Sequence, residues 1–421
     1  MSFRYGFRAA RALFAPFLFN AVLSTTGLAA LPQITILHNF RFGTSDGSSP
    51  QSGVAVLGTR IYGTTLLWGS GSDGILYSVN MDGSGYQILH NFSGADGNQP
   101  NSDVTVAGTK VFGTAQFGGT GGGAGNGTIF SYDTSSSAYQ NVYQFAGAFN
   151  DAATPMAGFT AVNSTLYGIT WEGGNKNGGA IYRLNSDGSG YGLVQSLGGL
   201  GNPTPGGGPE ANMIQVGTKL YGTTTRGGAS SQGTIFSYDL NTSAVNYLYS
   251  FGGGTVDGAV PHGNLALVGT VLYGIAEQAG SANQGALFSF DTATSNYSVL
   301  HNFVGGTGDG ASPVGGMVQV GTLLYGTTQS GGTAGDGIIY SLDPVTHDFQ
   351  IVHNFTGSTS DGAGPASDLT AIGNTLLGTT SNGGTFSAGT LFAIAVPEPS
   401  SLMLIGLGAL ALAVASVRGL I

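Results

Sequence analysis

One four-residue phrase occurs seven times in this chain. Its first copy is Tyr62-Gly63-Thr64-Thr65, and the copies begin at Tyr62, Phe112, Tyr167, Tyr221, Tyr273, Tyr325 and Leu377. Successive copies lie 50, 55, 54, 52, 52 and 52 residues apart. A near-constant period of this length is typical of repeat proteins, in which each copy is one supersecondary unit. Residues present in every copy are therefore expected to build the repeat, and any chemistry is expected where the copies differ.

The composition favours a folded, all-β protein. Hydrophobic residues make up 41% of the 421 residues and charged residues only 8%, whereas disordered chains show the reverse balance. The 76 glycines follow no strict three-residue period, so a collagen triple helix is excluded. Many short apolar runs separated by turn-forming residues predict short strands.

Charge and cysteine content exclude several classes of function. The formal net charge is -10, and residues 31–395 hold 7 Lys and Arg against 20 Asp and Glu. No nucleic-acid partner is expected, because phosphate binding needs a basic surface. The chain has no cysteine, which excludes disulfides, thiol catalysis and cysteine-ligated metals.

Each repeat is predicted to contain four strands joined by consecutive hairpins. In the second copy, alternating or apolar runs at 103–107, 110–114, 128–132 and 139–145 are separated by turn residues such as Gly108-Thr109. Several of these runs are apolar on both faces, which suits a sheet packed between two neighbouring sheets. Repeated four-stranded sheets of this kind predict a β-propeller.

The position of the repeat within the chain predicts how the ring closes. The chain begins with a fourth-strand copy at 34–40 and ends after a third-strand copy at 389–395. We expect these two segments to pair, so that the N-terminal strand completes the last of seven blades and no sheet edge is left open. The alternative is a β-helix, whose coils are usually much shorter than this repeat.

The N-terminus carries the features of a secretory signal. Arg4, Arg8 and Arg11 precede a mostly apolar run at 13–23, and small residues follow it. Residues 1–29 are therefore predicted to be a signal peptide that forms an apolar helix and is removed on export. An ordinary buried helix is the alternative.

The C-terminal segment 396–421 resembles the PEP-CTERM sorting tail of exported bacterial proteins. Pro397-Glu398-Pro399 is followed by an apolar run at 402–417 and then by Arg418. The resemblance implies a membrane-spanning helix before processing and recognition by an exosortase. It also implies a cell-envelope, cell-surface or matrix location in a Gram-negative-type bacterium. The tail departs from the family pattern in having one basic residue where a cluster is usual, which weakens the expected cytoplasmic anchor.

The repeat resembles the GloVer-type tandem repeat of exported bacterial proteins. That family carries a Leu-Tyr-Gly-Thr-Thr phrase, a Gly-Gly loop, an aromatic third strand, and a Leu-His-x-Phe segment followed by Asp-Gly-x-x-Pro. All of these occur in this chain between residues 34 and 395. The resemblance implies the fold of a domain over 31–395 and implies export, and it leaves the activity open.

The recurring polar residues are expected to stabilise the fold and not to carry chemistry. Asp-Gly pairs recur before a proline, as in Asp46-Gly47, and are expected to form turns. A Ca²⁺ ion there is a weaker alternative, because each loop offers one carboxylate and calcium prefers several oxygen ligands. His38, His90, His301 and His353 share one repeat position and are expected to be framework. No zinc-ligand spacing and no phosphate-binding loop occurs, so no other cofactor is expected.

Departures from the repeat in the Gly-rich loops provide the candidate binding residues, which are Trp68, Trp171, Glu172, Arg226 and Glu277. We expect these loops and the Asp-Gly loops to emerge on one face of the propeller. Exposed tryptophan beside carboxylates suits a sugar ring, so a glycan-binding face is predicted. The alternative is that the aromatic side chains pack locally.

The sequence as a whole predicts an exported, non-catalytic surface or matrix propeller that binds polysaccharide or an envelope protein. No catalytic residue is assigned. The competing hypothesis is a polysaccharide lyase or glycoside hydrolase in which Glu172 and Glu277 act as a carboxylate pair on the same face.

Overall fold

A computed structural model describes residues 32–119, 125–147, 150–198, 204–255 and 257–397. The predicted signal peptide over 1–29, the sorting residues Glu398 and Pro399, and the apolar run at 402–417 lie outside these ranges, and so do both predicted terminal helices. Within the described ranges, no helix has the length and apolar character needed to span a bilayer.

Seven antiparallel four-stranded sheets form the blades of a β-propeller, as the repeat predicts. Blades 1 to 3 consist of Ala55–Leu57, Arg60–Thr65, Ile75–Asn80 and Gln87–Asn91; Thr105–Ala107, Lys110–Ala115, Thr128–Asp133 and Ala138–Gln144; and Thr160–Val162, Thr165–Thr170, Ala180–Asn185 and Gly192–Ser196. Blades 4 and 5 consist of Ile214–Val216, Lys219–Thr224, Thr234–Asp239 and Val245–Ser250; and Gly258–Val268, Val271–Ala279, Ala286–Asp291 and Tyr297–Asn302. Blades 6 and 7 consist of Val318–Val320, Leu323–Thr328, Ile338–Leu342 and Phe349–Asn354; and Thr370–Ile372, Thr375–Gly383, Thr390–Ala395 and Ile34–Asn39.

Short additional strands pair the Asp-Gly segment of a repeat with its Gly-rich loop. The pairs are Gly47–Ser48 with Leu67–Trp68, Ala152–Ala153 with Glu172–Gly173, Thr204–Gly207 with Arg226–Gly228, Gly310–Ala311 with Ser330–Gly331, and Gly362–Pro365 with Thr375–Gly383. In blade 5 the same pairing is continuous within its two long strands. The two kinds of loop therefore lie side by side on one face.

The N-terminal strand closes the ring, as predicted. Ile34 pairs with Ile394 and Asn39 with Thr390, so the first strand of the described chain is the outermost strand of blade 7. On the inner side of the same junction, the Thr379 hydroxyl donates a hydrogen bond to the Pro50 carbonyl at 3.3 Å. Closure leaves blade 7 with the same four strands as its neighbours and removes the unpaired edge that an open array would expose.

The glycine of the recurring phrase makes room for an aromatic ring of the third strand. A Cβ placed on Gly222 would lie 2.8 Å from the Phe236 ring, and one on Gly63 would lie 2.5 Å from the Tyr77 hydroxyl. Phe236 and Tyr77 are fully buried. The glycine of the phrase is thus present in every copy because a larger side chain would displace the ring that packs between blades.

The Asp-Gly loops are tied to the outer strands, as the framework interpretation expects. The Asp46 carboxylate accepts hydrogen bonds from the Gly47 amide at 2.8 Å and from His38 Nε2 at 3.1 Å. The His38 ring stacks on Tyr86 with centroids 3.7 Å apart, and the Tyr86 hydroxyl also donates to Asp46. Equivalent histidine–aspartate pairs are His90–Asp96, His301–Asp309 and His353–Asp361.

The two faces of the propeller differ. The first described strand starts on the same face on which the last described strand ends. We define the loop face as the face that carries the Asp-Gly and Gly-rich loops, and the turn face as the opposite face with the tight hairpins. In blade 7, Thr380 and Asn39 both pair with Thr390 at the loop face. At the other end, Thr375 pairs with Ala395 and Ile34 with Ile394. The first described strand therefore begins at the turn face, and the last described strand ends there.

Candidate functional site

The structure brings Trp171 and Arg226 together. The Arg226 guanidinium lies 4.3 Å from the centre of the Trp171 ring, a cation–π contact between blades 3 and 4. The Trp171 indole nitrogen is buried and has no hydrogen-bond partner among the described residues. A Cβ on Gly208 would lie 2.9 Å from that nitrogen. One face of the indole is thus already occupied by the guanidinium.

The two glutamates predicted as a carboxylate pair lie in different surroundings. Glu172 pairs with Ala153 and accepts a long, 3.5 Å hydrogen bond from the Thr154 hydroxyl. The charge of Glu277 instead acts on His262 of its own blade. Within the described ranges no hydrogen bond joins the two glutamates.

Trp68 lies apart from Trp171, in an exposed aromatic contact at the junction of blades 7 and 1. Its ring is 40% exposed and meets Phe42 edge-on with centroids 6.0 Å apart. The backbone of Trp68 is left-handed, with a φ of 69°, at a repeat position where five other copies have glycine. A non-glycine residue in this conformation costs about 1–2 kcal/mol.

A cavity at the loop-face mouth of the central channel is lined by residues from all seven repeats. We call it the channel cup. Its rim consists of the residue that follows the proline of the Asp-Gly loop in each repeat. These residues are Gln51, Asn101, Met156, Glu210, His262, Val314 and Ala366. The position two residues later holds Gly53, Asp103, Gly158, Asn212, Asn264, Gly316 and Asp368. The cavity measures about 200 Å³.

Polar side chains of four blades meet across the floor of the channel cup. The Asp103 carboxyl accepts hydrogen bonds from the side-chain amides of Asn212 at 3.1 Å and Asn264 at 2.8 Å. It also accepts from the backbone amide of Gly53 at 2.5 Å. Asp368 accepts from the backbone amides of Gly316 and Asn264. These bonds tie the inner ends of separate blades together.

Glycine at the same repeat position in other copies leaves space for these side chains. A Cβ on Gly53 would lie 2.7 Å from the Asp103 carboxyl, and a Cβ on Gly316 would overlap the backbone of Asn264. Seven large side chains cannot all fit at the axis of a narrow ring. Some copies therefore have a polar residue at this position, and the others have glycine.

The carboxyl of Asp368 keeps its proton to higher pH than usual. Burial raises its pKa well above the ordinary 3.8, and the charge of the neighbouring Asp103 carboxyl and a hydrogen bond with it raise it further. Two carboxyls in direct contact do not readily ionise together, so the raised pKa favours the protonated form of Asp368 on the floor of the channel cup.

The rim of the channel cup contains an ion pair. His262 Nε2 lies 2.8 Å from the Glu210 carboxylate, and His262 Nδ1 lies 3.0 Å from the Val314 carbonyl. Both ring nitrogens face acceptors, so the ring is an imidazolium that donates twice. Burial by itself lowers the pKa of His262, but the hydrogen bond and charge of Glu210 outweigh it and raise the pKa to about 9.

Over the described ranges, no group of three or more histidine, aspartate or glutamate side chains is arranged to hold a metal ion. The Asp-Gly carboxylates that suggested Ca²⁺ are engaged with histidines, tyrosines and backbone amides, as Asp46 shows. Calcium binding at these loops stays an untested prediction.

The channel cup is not predicted above, although its signal is present in the sequence. Chemistry is expected where copies differ, and the Gly-rich loops are the most visible of these differences. The first and third positions after the constant proline differ as strongly. Histidine, glutamate, methionine and asparagine are among the residues at the first, and aspartate, asparagine or glycine occupies the third. Only the ring places these scattered residues around one axis.

Comparisons with known proteins agree with the fold. Residues 28–216, 120–333 and 200–392 match the Gloeobacter/Verrucomicrobia repeat, and residues 395–418 match the PEP-CTERM protein-sorting motif. No curated protein matches the chain in sequence.

Among solved structures, the chain is similar to the GH74 enzyme of Niastella koreensis, with a TM-score of 0.50 and 13% identity over 83% of this chain and 53% of that one. It is similar to a puromycin hydrolase at a TM-score of 0.50 and 11% identity, over 80% and 50% of the two chains. It spans 27% of the tricorn protease chain, with 12% identity, 79% coverage of this chain and a TM-score of 0.43. The chain thus spans about half or less of these proteins, and at such identities the likeness shows the fold alone.

Proposed function

The chain belongs to the Gloeobacter/Verrucomicrobia repeat family and carries the sorting motif of exported, envelope-associated bacterial proteins, and from this premise we propose that it binds extracellular polysaccharide, without turnover, at the channel cup. The motif implies processing by an exosortase-type enzyme. A removable signal peptide over 1–29 and a surface or matrix location in a Gram-negative-type bacterium complete the proposal.

One observation carries the proposal: the channel cup concentrates the polar residues that distinguish one repeat from another. Amides such as Gln51, Asn101 and Gln329 line it together with carboxyls. Amide and carboxyl groups donate and accept in fixed directions, which suits the hydroxyls of a sugar. Concave sites with a few convergent polar groups are the usual form of a ligand site.

The competing function, a polysaccharide lyase or glycoside hydrolase, has one observation in its favour. Asp368 keeps a proton beside Asp103, so an acid and a potential base share one cavity. However, glycosidase carboxyls stand roughly 5–9.5 Å apart with the sugar between them, whereas these two are in direct contact. Binding without catalysis is therefore the better-supported function.

A glycan array probed with the full-length protein tests the proposal, together with an assay for released sugar. We expect binding to one class of polysaccharide, no product release, and at least about tenfold weaker binding for Glu210→Gln. Asp348→Asn, which removes one acid on an exposed turn, is the matched control. Trp68→Ala and Trp171→Ala report on the loops.

Loss of binding in Trp68→Ala or Trp171→Ala alone, with Glu210→Gln unaffected, would move the site out to the Gly-rich loops. Failure of every neutral, acidic and basic glycan to bind would refute polysaccharide binding and favour an envelope protein as the partner. Product release that disappears in Glu172→Gln or Glu277→Gln would establish the enzyme hypothesis instead.

A further inference from the structure

We infer that the channel cup selects the terminal residue of a cationic amino sugar, whose ammonium group is bound on the floor. This specificity rests on the polysaccharide binding proposed above and narrows it to one class of ligand. Three independent features of the site support it: an unused acceptor, an excess of acidic groups and a floor closed by side chains.

The unused acceptor is the side-chain oxygen of Asn212. Its amide nitrogen donates to Asp103, which fixes the orientation of the group. The oxygen is buried and has no hydrogen-bond partner among the described residues. It lies beside Gly158, at 3.3 Å from the place that a Cβ on that residue would take. A buried acceptor without a donor is costly, so this position favours a ligand that brings one.

The charged groups around the channel cup favour a positive ligand. Asp103, Asp368 and Glu210 line it, and the only basic lining residue in the described ranges is His262. Because Asp368 keeps its proton, the negative charge on the floor is that of Asp103. Glu277 stands close enough for its charge to act on His262. The His262 imidazolium is already paired with Glu210, so the acids on the floor have no cationic partner there. An ammonium carries three donors and no acceptor, which matches this set of acceptors.

The floor limits the ligand to a chain end. Asp103 reaches from blade 2 to the amides of Asn212 in blade 4 and Asn264 in blade 5, so side chains cross the channel axis. The cavity above them measures about 200 Å³, below the roughly 300–1,000 Å³ typical of pockets for drug-sized ligands. One sugar residue suits this space, and a polymer threaded through the channel does not.

Oligosaccharides that differ only in charge give the decisive experiment. Glucosamine hexasaccharide and cellohexaose share the same β-1,4-linked backbone and differ in an amine or a hydroxyl at carbon 2. We expect calorimetry on the full-length protein, in low-salt buffer that keeps the amine charged, to show at least about tenfold tighter binding of the glucosamine oligomer. A galacturonate hexasaccharide should bind most weakly, because its carboxylates meet acids.

Two substitutions connect the preference to the channel cup. Asp103→Asn keeps an acceptor for the Gly53 amide and removes the negative charge from the floor, so the preference for glucosamine falls about tenfold. Glu277→Gln should reduce it several-fold, and Asp348→Asn, on an exposed turn, should leave it unchanged. Circular dichroism and the melting temperature verify the fold of each variant.

Each outcome decides a different claim. Equal or tighter binding of cellohexaose or galacturonate would overturn the cationic preference and leave polysaccharide binding standing. Absence of binding by all three oligomers and by the wider glycan array would overturn both proposals. If CaCl₂ raises the melting temperature of the unsubstituted protein but not of Asp103→Asn, and glucosamine does not bind, the floor is a metal site and the amino-sugar inference is wrong.

Discussion

Replacement of Glu210 by glutamine should remove the charge of His262 at neutral pH. The Glu210 carboxylate lies 2.8 Å from His262 Nε2 and raises the pKa of the ring from 6.5 to about 9. Without that carboxylate, burial is the largest remaining influence, and burial favours the neutral ring. We therefore expect the pKa of His262 in Glu210→Gln to fall below 6.5.

The magnitude follows from the size of the rise. A change from 6.5 to about 9 corresponds to roughly 3 kcal/mol between the charged and neutral forms, an upper limit because the ring is 28% exposed. Since the folded-state pKa is raised, this stabilisation is complete below pH 6.5 and is lost as the pH rises through about 9. The Glu210→Gln protein should lack this pH-dependent part of its stability.

The assay is an NMR titration of protein labelled only at histidine, with His262 assigned from the spectrum of His262→Gln. Glu172→Gln is the matched control, because the same change is made at a carboxylate not linked to the ring, and it should leave the pKa of His262 in place. A His262 pKa near 6.5 in the unsubstituted protein, or an unchanged pKa in Glu210→Gln, would refute the electrostatic account of the rim.

Two further predictions concern the framework and the tail. Gly222→Ala should lower the free energy of unfolding by roughly 1–3 kcal/mol, because its Cβ would lie 2.8 Å from the buried Phe236 ring. Gly192→Ala, with open space around its Cβ, is the control and should leave the midpoint of chemical denaturation unchanged. Equal midpoints for the two variants would contradict the packing argument. Mass spectrometry of the exported protein should find its C-terminus before Arg418, and an intact Arg418 peptide would count against processing of the tail.

The fold was predictable because it follows from periodicity. The number of copies of the recurring phrase predicts the blade count, and the fourth-strand copy at 34–40 predicts the closure with 389–395. Each prediction needs only local patterns and the rule that sheet edges are paired. The roles of the Asp-Gly loops and of His38 also follow, since a residue repeated in most copies forms the same contact in each.

The binding site was less predictable because it depends on distances across the ring. Trp171 and Arg226 are 55 residues apart in the sequence and in contact in the structure, and both were predicted without their contact. Asp103 and Asn264 are 161 residues apart and share a hydrogen bond. No local pattern encodes such a pair. The residues of the site are recognisable only when the positions after each proline are placed around the axis of the propeller.

The propeller has a built-in direction. Its first described strand begins at the turn face and its last described strand ends there. The sorting motif follows the last strand from residue 395. Attachment through the residues that follow this strand would therefore be at the face opposite the channel cup. The mouth of the channel cup would then stay accessible to a ligand from the surroundings.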